Sequence, residues 1–192
     1  MDEKIKRIIL ASIEVKEKLL QDEALLQRVD DAVNVLVHAF RNGNRVYFCG
    51  NGGSAADAQH MAAEFSGRFY TDRNALPAEA LHCNTSYLTA VANDYSYDEI
   101  YARLIKGIAN KGDVLVGLST SGNSGNIVKA FEAAREKGVI TIAFTGDTGG
   151  KMAGLSDYLF NMPSKDTPRI QESHITIGHI VCQLVEERYF EG

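Results

Sequence analysis

A chain of 192 residues with 45% hydrophobic residues is long enough for one well-cored domain, too short for two ordinary ones, and too apolar to be disordered. Its formal net charge of −5 at pH 7 leaves no overall basic field for nucleic acid. No apolar run approaches the roughly 20 residues that a membrane span needs, and Met1-Asp2-Glu3-Lys4 does not open a signal peptide. The expectation is a cytoplasmic protein that binds neither nucleic acid nor membrane. Cys49, Cys83 and Cys182 form no CxxC pair or His/Cys cluster, so they read as reduced, mostly buried thiols.

Along the chain, Ile5, Ile8, Ile9, Ile13, Leu19 and Leu20 recur at helical spacing. After the Gln21-Asp22 break, Leu25, Val29, Val33, Leu36, Val37 and Phe40 continue the period until Asn42-Gly43 stops a second helix. Two helices ahead of the first strand have no crossover role; they are expected to cap the sheet or to pack against the same helices of another chain. Residues 45–49 then read as a strand ended by Gly50-Asn51-Gly52-Gly53-Ser54, and 55–65 as a helix. Strands are expected at 77–81, 114–118, 139–145 and 158–162, with helices at 124–137 (stopped by Gly138) and 169–188. Alternating strands and helices imply an α/β fold with a mostly parallel sheet covered on both faces. The right-handed crossover rule places its strand-end loops on one ligand-binding edge. No linker interrupts the pattern, so residues 1–192 are expected to form one domain.

Ser119-Thr120-Ser121-Gly122-Asn123-Ser124 follows a buried strand and opens a helix. Free backbone N–H groups and the helix dipole favour an anion there, and the hydroxyls donate further hydrogen bonds. With no lysine in the loop, the phosphate of a sugar suits it better than a triphosphate. Gly50-Asn51-Gly52-Gly53-Ser54-Ala55 fits the G-x-G-x-x-A dinucleotide fingerprint, which requires an acidic residue closing the second strand. That strand ends Leu81-His82-Cys83-Asn84 without a carboxylate. A second anion or hydroxyl site is the better reading, and a tight turn that needs glycines for steric reasons is the other.

The glycine loop, Asn93-Asp94, the serine loop and Arg169-Ile170-Gln171-Glu172 occur in an order that resembles the phosphoheptose isomerases of the sugar-isomerase (SIS) superfamily, over essentially the whole chain. His60-x-x-x-Glu64 with Gln171 and His179 is the more specific part. The resemblance implies a flavodoxin-like five-stranded parallel sheet (43–192) and a homotetramer whose N-terminal helices (1–42) form a central bundle. It implies conversion of D-sedoheptulose 7-phosphate to D-glycero-D-manno-heptose 7-phosphate, the first step of ADP- or GDP-heptose synthesis for cell-envelope glycans such as lipopolysaccharide. By position, Asn51, Gly52, Gly53, Ser54, Glu64, Asn93, Asp94, Ser119, Thr120, Ser121, Ser124 and Gln171 would bind substrate. Glu64 and His179 would be catalytic, and His60, Glu64, Gln171 and His179 would match the family's zinc site. Some members carry Asp where Pro168 stands here, which leaves any third acid–base group unassigned.

Ketose–aldose conversion needs a base for carbon and an acid or Lewis acid at the carbonyl. Glu64 lies four residues after His60, so both project from one helix face, and that helix starts at the ligand edge. A buried or cleft position is expected for the pair, given the apolar neighbours Met61, Ala62, Ala63 and Phe65. Gln171 and His179 are eight residues apart, about 12 Å along a continuous helix. One zinc would be easier to reach in a site shared between subunits, or with a break in the last helix near Gly178. Two other readings remain. A paralogous branch serves as an adaptor for the bacterial replication initiator and lacks counterparts of Glu64 and His179. A sugar-phosphate sensor would need the serine loop and have no use for Glu64.

Overall fold

The computed structural model describes residues 3–190; Met1, Asp2, Glu191 and Gly192, which the 1–192 expectation includes, lie outside the described residues. Two helices lead, α1 (Glu3–Gln21) and α2 (Glu23–Arg41). The sharp junction between them is set by Asp22, whose side chain caps α2 by accepting from the Leu25 N–H at 2.9 Å. Then follow β1 (Val46–Gly50), α3 (Gly53–Ser66), β2 (Ala78–Ala80), α4 (Thr85–Asp94), a short 3-10 turn (Tyr97–Glu99) and α5 (Ile100–Ile108). The chain continues through β3 (Val114–Ser119), α6 (Gly125–Glu136), β4 (Ile140–Thr145), a second 3-10 turn (Gly150–Gly154), β5 (Tyr158–Asn161) and α7 (Thr167–Phe190).

The five strands form one parallel sheet in the order β2-β1-β3-β4-β5. β1 and β3 are buried at every position, as strands covered on both faces must be. One face carries α2, α3 and α7 over Phe48, Val116, Ile142 and Phe160; the other carries α5 and α6 over Tyr47, Leu115 and Ala143. Strand order reverses between β1 and β3, so the loops leaving Gly50 and Ser119 flank one crevice.

The two leading helices differ in role. The apolar stripe of α2 (Leu25, Val29, Leu36, Phe40) is buried in the core, so α2 has its partner within the chain. That of α1 does not: Ile5, Ile9 and Ile13 remain 54%, 56% and 43% exposed. The last helix runs unbroken from Thr167 to Phe190, so no break near Gly178 brings Gln171 toward His179. The sequence reading left residues 84–113 unassigned, where the structure has α4 and α5.

The segment after α3 is irregular yet firmly held. Glu186 of α7, 3% exposed, accepts from the consecutive N–H groups of Phe69, Tyr70 and Thr71 and from Arg73 Nε. Arg73 in turn donates to the carbonyls of Glu64 and Phe65, which caps the end of α3. Burial acts to raise the Glu186 carboxyl, but the hydrogen bonds from Thr71, Arg73, Phe69 and Tyr70 outweigh it and hold it down to about 2, from an ordinary 4.5. Because the folded value is depressed, this group stabilises the fold fully above about pH 4.5 and loses that contribution as pH falls toward 2. The linkage is worth about 3 kcal/mol. Urea unfolding of Glu186→Gln should show a deficit against wild type that narrows as pH falls through this window. A deficit independent of pH would overturn the assignment.

Candidate active site

At the end of β1, Tyr101 is buried and donates its hydroxyl to the Gly50 carbonyl at 2.6 Å, fixing where the strand stops. A Cβ at Gly50 would overlap the Ser54 carbonyl, so the tight turn into α3 requires glycine. Ser54 is buried in the first turn of α3, its N–H bonded to the Asn51 carbonyl at 3.0 Å. Across the crevice, Ser119 is buried at the end of β3, with its Oγ 2.8 Å from Ser124 Oγ and 3.5 Å from Ser121 Oγ. Gly122 turns the loop at φ +65° against the backbone of Gly149, and Gly146 N–H donates to the Thr120 carbonyl at 2.9 Å. The serine loop is thus buttressed by the segment after β4. The N–H groups of Gly125 and Asn126 find no acceptor among the described residues, as expected of a first helical turn prepared for an anion.

A recess of about 300 Å³ beside this loop is lined by Thr120, Ser121, Asp147, Ser164, Lys165 and Thr167. Gln171 sits at the same edge: a Cβ added at Gly53 would come 2.7 Å from its Nε2.

A second group of side chains lies further along α3 and α7. These helices run side by side from the ligand edge, Gly53 beside Gln171 and Met61 against Gly178. The close approach puts His179 Nε2 at 3.5 Å from His60 Nε2, which is 3.0 Å from Glu64 Oε1. Donor atoms of all three lie within 4.8 Å of one another. Tetrahedral zinc with bonds of about 2.0–2.1 Å has ligand atoms roughly 3.3 Å apart. Two of the three spacings already match, and the His/His/carboxylate set suits the ion.

Residues 10–146 match the SIS domain family. The phosphoheptose isomerase of Aneurinibacillus thermoaerophilus is 53% identical over 192 residues, which span 100% of this chain and 97% of that protein. This chain belongs to the phosphoheptose isomerase family. Among solved structures, the phosphoheptose isomerase of Neisseria gonorrhoeae superposes with a TM-score of 0.90 at 39% identity, covering 96% of this chain and 98% of that one. The Francisella tularensis enzyme gives 0.92 at 33% identity, covering 96% and 97%.

Set against the phosphoheptose isomerase pattern, the structure divides the expected residues between two places. Asn51, Gly52, Gly53, Ser54, Ser119, Thr120, Ser121, Ser124 and Gln171 gather at the sheet edge. Asn93 and Asp94 end α4, exposed and joined to each other at 2.9 Å. Glu64, expected at the ligand edge, lies eleven residues beyond Gly53, roughly 16 Å along the helix axis. Nor is the pair deeply buried: the side chains of His60 and Glu64 are 47% and 23% exposed. Within one chain Gln171 does not join the trio, since its amide rests against Gly53, roughly 10 Å before His60 along α3. Asp57 was missed by the sequence reading. Burial raises its carboxyl above the usual range, and His60 and His179 pull it partly back. Its position one turn before His60 was the available signal.

The approach of α3 to α7 depends on Gly178, where a Cβ would overlap Met61 Sδ. Gly178→Ala should cost about 1–3 kcal/mol by overpacking, read from the urea midpoint. A variant as stable as wild type would show that this contact has room to spare.

Proposed function

We propose that the protein interconverts sedoheptulose 7-phosphate and an aldoheptose 7-phosphate through an enediol, acting in the cytoplasm. The convergence of Glu64, His60 and His179 carries this reading, since neither an adaptor nor a sensor needs it. Three free cysteines suit a reducing compartment, and no helix among the described residues is long and apolar enough to cross a membrane.

In the proposed reaction the hydroxyl loop and the first turn of α6 hold the phosphate. Glu64 Oε1 faces His60, while Oε2 has no hydrogen-bond partner among the described residues. Glu64 removes a proton from C1 of the ketose while His179 gives one to the C2 oxygen, producing the enediol. Glu64 then returns a proton to C2 and His179 takes one from the C1 hydroxyl, leaving the aldose. Zinc, where held by His60, Glu64 and His179, would supply Lewis-acid polarisation of the carbonyl in place of the proton from His179. Turnover of sedoheptulose 7-phosphate tests the reading directly. Glu64→Gln should lose turnover by about 100-fold or more while binding substrate nearly as well, because it removes basicity and keeps shape. A variant with most of its kcat would sink the assignment of Glu64 as base.

The proposed site is completed by a second copy of the chain. The position of Glu64 eleven residues along α3 from the glycine loop supports this, as does the exposed stripe of Ile5, Ile9 and Ile13 on α1. Burying that stripe at roughly 25 cal/mol per Å² would offset the cost of association. In this arrangement residues 1–42 supply the packing helices of a homotetramer, residues 43–192 the catalytic α/β body, and Gln171 of another copy joins the trio. Since Glu64 and His179 meet within one chain, complementation must pair the trio with the phosphate loop. Glu64→Gln mixed with a Ser119→Ala, Ser121→Ala, Ser124→Ala variant, each inactive alone, should recover activity after subunit exchange. Exchange proven by mass without activity would overturn the shared site.

A further inference from the structure

Asn126 is 1% exposed in the first turn of α6, and its side chain faces the glycine loop rather than any ligand position assigned above. Its carboxamide forms a reciprocal pair with that of Asn51: Asn51 Nδ2 donates to Asn126 Oδ1 at 2.9 Å, and Asn126 Nδ2 donates to Asn51 Oδ1 at 2.8 Å. A carboxamide can ordinarily be turned end for end with little change in shape. Here the backbone opposes it. The Ile127 N–H, shared with the Ser124 carbonyl at 3.0 Å, also donates to Asn126 Oδ1 at 3.0 Å, which favours the oxygen at that corner and turns the amide nitrogen toward Asn51. The orientation is passed on to Asn51. Tyr97 then adds its hydroxyl to Asn51 Oδ1 at 3.1 Å.

Counting the donors and acceptors gives the consequence. Asn51 Oδ1 accepts twice, from Asn126 and Tyr97, and Asn51 Nδ2 uses one of its two hydrogens on Asn126. One N–H of Asn51 remains, at the end of β1 beside the serine loop. We propose that Asn126 is a positioning residue that fixes the Asn51 carboxamide so that this one N–H is presented to an oxygen of the sugar phosphate. The Asn126 side chain touches no substrate; only its backbone N–H belongs to the phosphate turn. It acts through Asn51, and it locks the loop after β1 to the helix after β3 across the crevice. Tyr97 is the outer part of the same lock, joining to it the segment that carries Asn93 and Asp94. Without Asn126 the reciprocal pair is lost, only Tyr97 holds the Asn51 amide, and its N–H is no longer fixed toward the substrate.

This inference rests on the sugar-phosphate reading of the crevice, and a double-mutant cycle keeps the two separable. Asn51→Ala, Asn126→Ala and the double variant would be compared in the full-length protein. Sedoheptulose 7-phosphate affinity would be read by calorimetry, KM and kcat by turnover. Each single variant should weaken binding and raise KM about five- to tenfold, the loss of one oriented hydrogen bond, with kcat within about twofold. The double variant should be no worse than Asn51→Ala, because Asn126 has nothing left to orient. Asn126→Ser is uncharged and too short for the reciprocal pair with Asn51, so it tests the same point if the alanine variant fails to fold. Tyr97→Phe, at an exposed position, should give a smaller KM rise that also vanishes in the Asn51→Ala background. Multiplying effects in the double variant, or a loss confined to kcat or to thermal stability, would overturn the positioning role. Wild-type protein that binds the sugar phosphate without turning it over would overturn the isomerase reading alone, leaving the cycle to be decided on affinity. Absence of binding would overturn both.

Discussion

The arrangement of the chemistry depends on one steric constraint, the contact of α3 with α7. Both helices descend from the ligand edge of the sheet, because each follows a parallel strand and must run back against it. Two helices with ordinary side chains at the contact lie 8–10 Å apart. Gly178 removes the side chain on one of them and lets Met61 fill the space. The residues next to that contact, His60 and His179, are then brought within hydrogen-bonding range of each other. The trio is therefore a product of packing on the buried side of the two helices, and its members need no loop to assemble them.

The crevice is organised on the opposite principle. Its loops are polar backbone and small side chains held by hydrogen bonds: Tyr101 to Gly50, Gly146 to Thr120, Asn126 to Asn51. Hydroxyls and N–H groups there offer oriented dipoles of the kind that suit an anion, with Asp147 and Lys165 beside them. The trio carries titratable groups and stands on a partly exposed helix face. The two groups stand on different parts of the protomer, the loops at the sheet edge and the trio further along α3 and α7.

Much of this was legible in the sequence. The apolar run at 114–118 announced a buried strand and 139–145 a further one, and the glycine and serine loops announced the two ends of the crevice. The i, i+4 spacing of His60 and Glu64 gave two of the trio. The rest turned on contacts between distant segments. Nothing near His179 in sequence says that Gly178 will meet Met61, and the rise of a straight α3 had to be measured before Glu64 could be seen to lie far below the edge. The α5 helix was missed although Ile100, Tyr101, Leu104, Ile105 and Ile108 carry a clear apolar face. The α4 helix had weaker periodicity, but Asn84 caps it by accepting from the Tyr87 N–H at 3.0 Å, a signal of the kind read correctly elsewhere.

The clamp on the segment after α3 has a consequence for how the molecule opens. Phe69, Tyr70 and Thr71 belong to no helix or strand, yet all three amides end on one carboxylate of α7. Irregular surface segments ordinarily exchange their amide hydrogens through local fluctuations that cost little. These three cannot do so without also uncovering Glu186 and releasing Arg73 from the end of α3. Their exchange is thereby tied to the cooperative unit formed by α3 and α7, and a stretch that looks like a loop inherits the lifetime of the helices it joins.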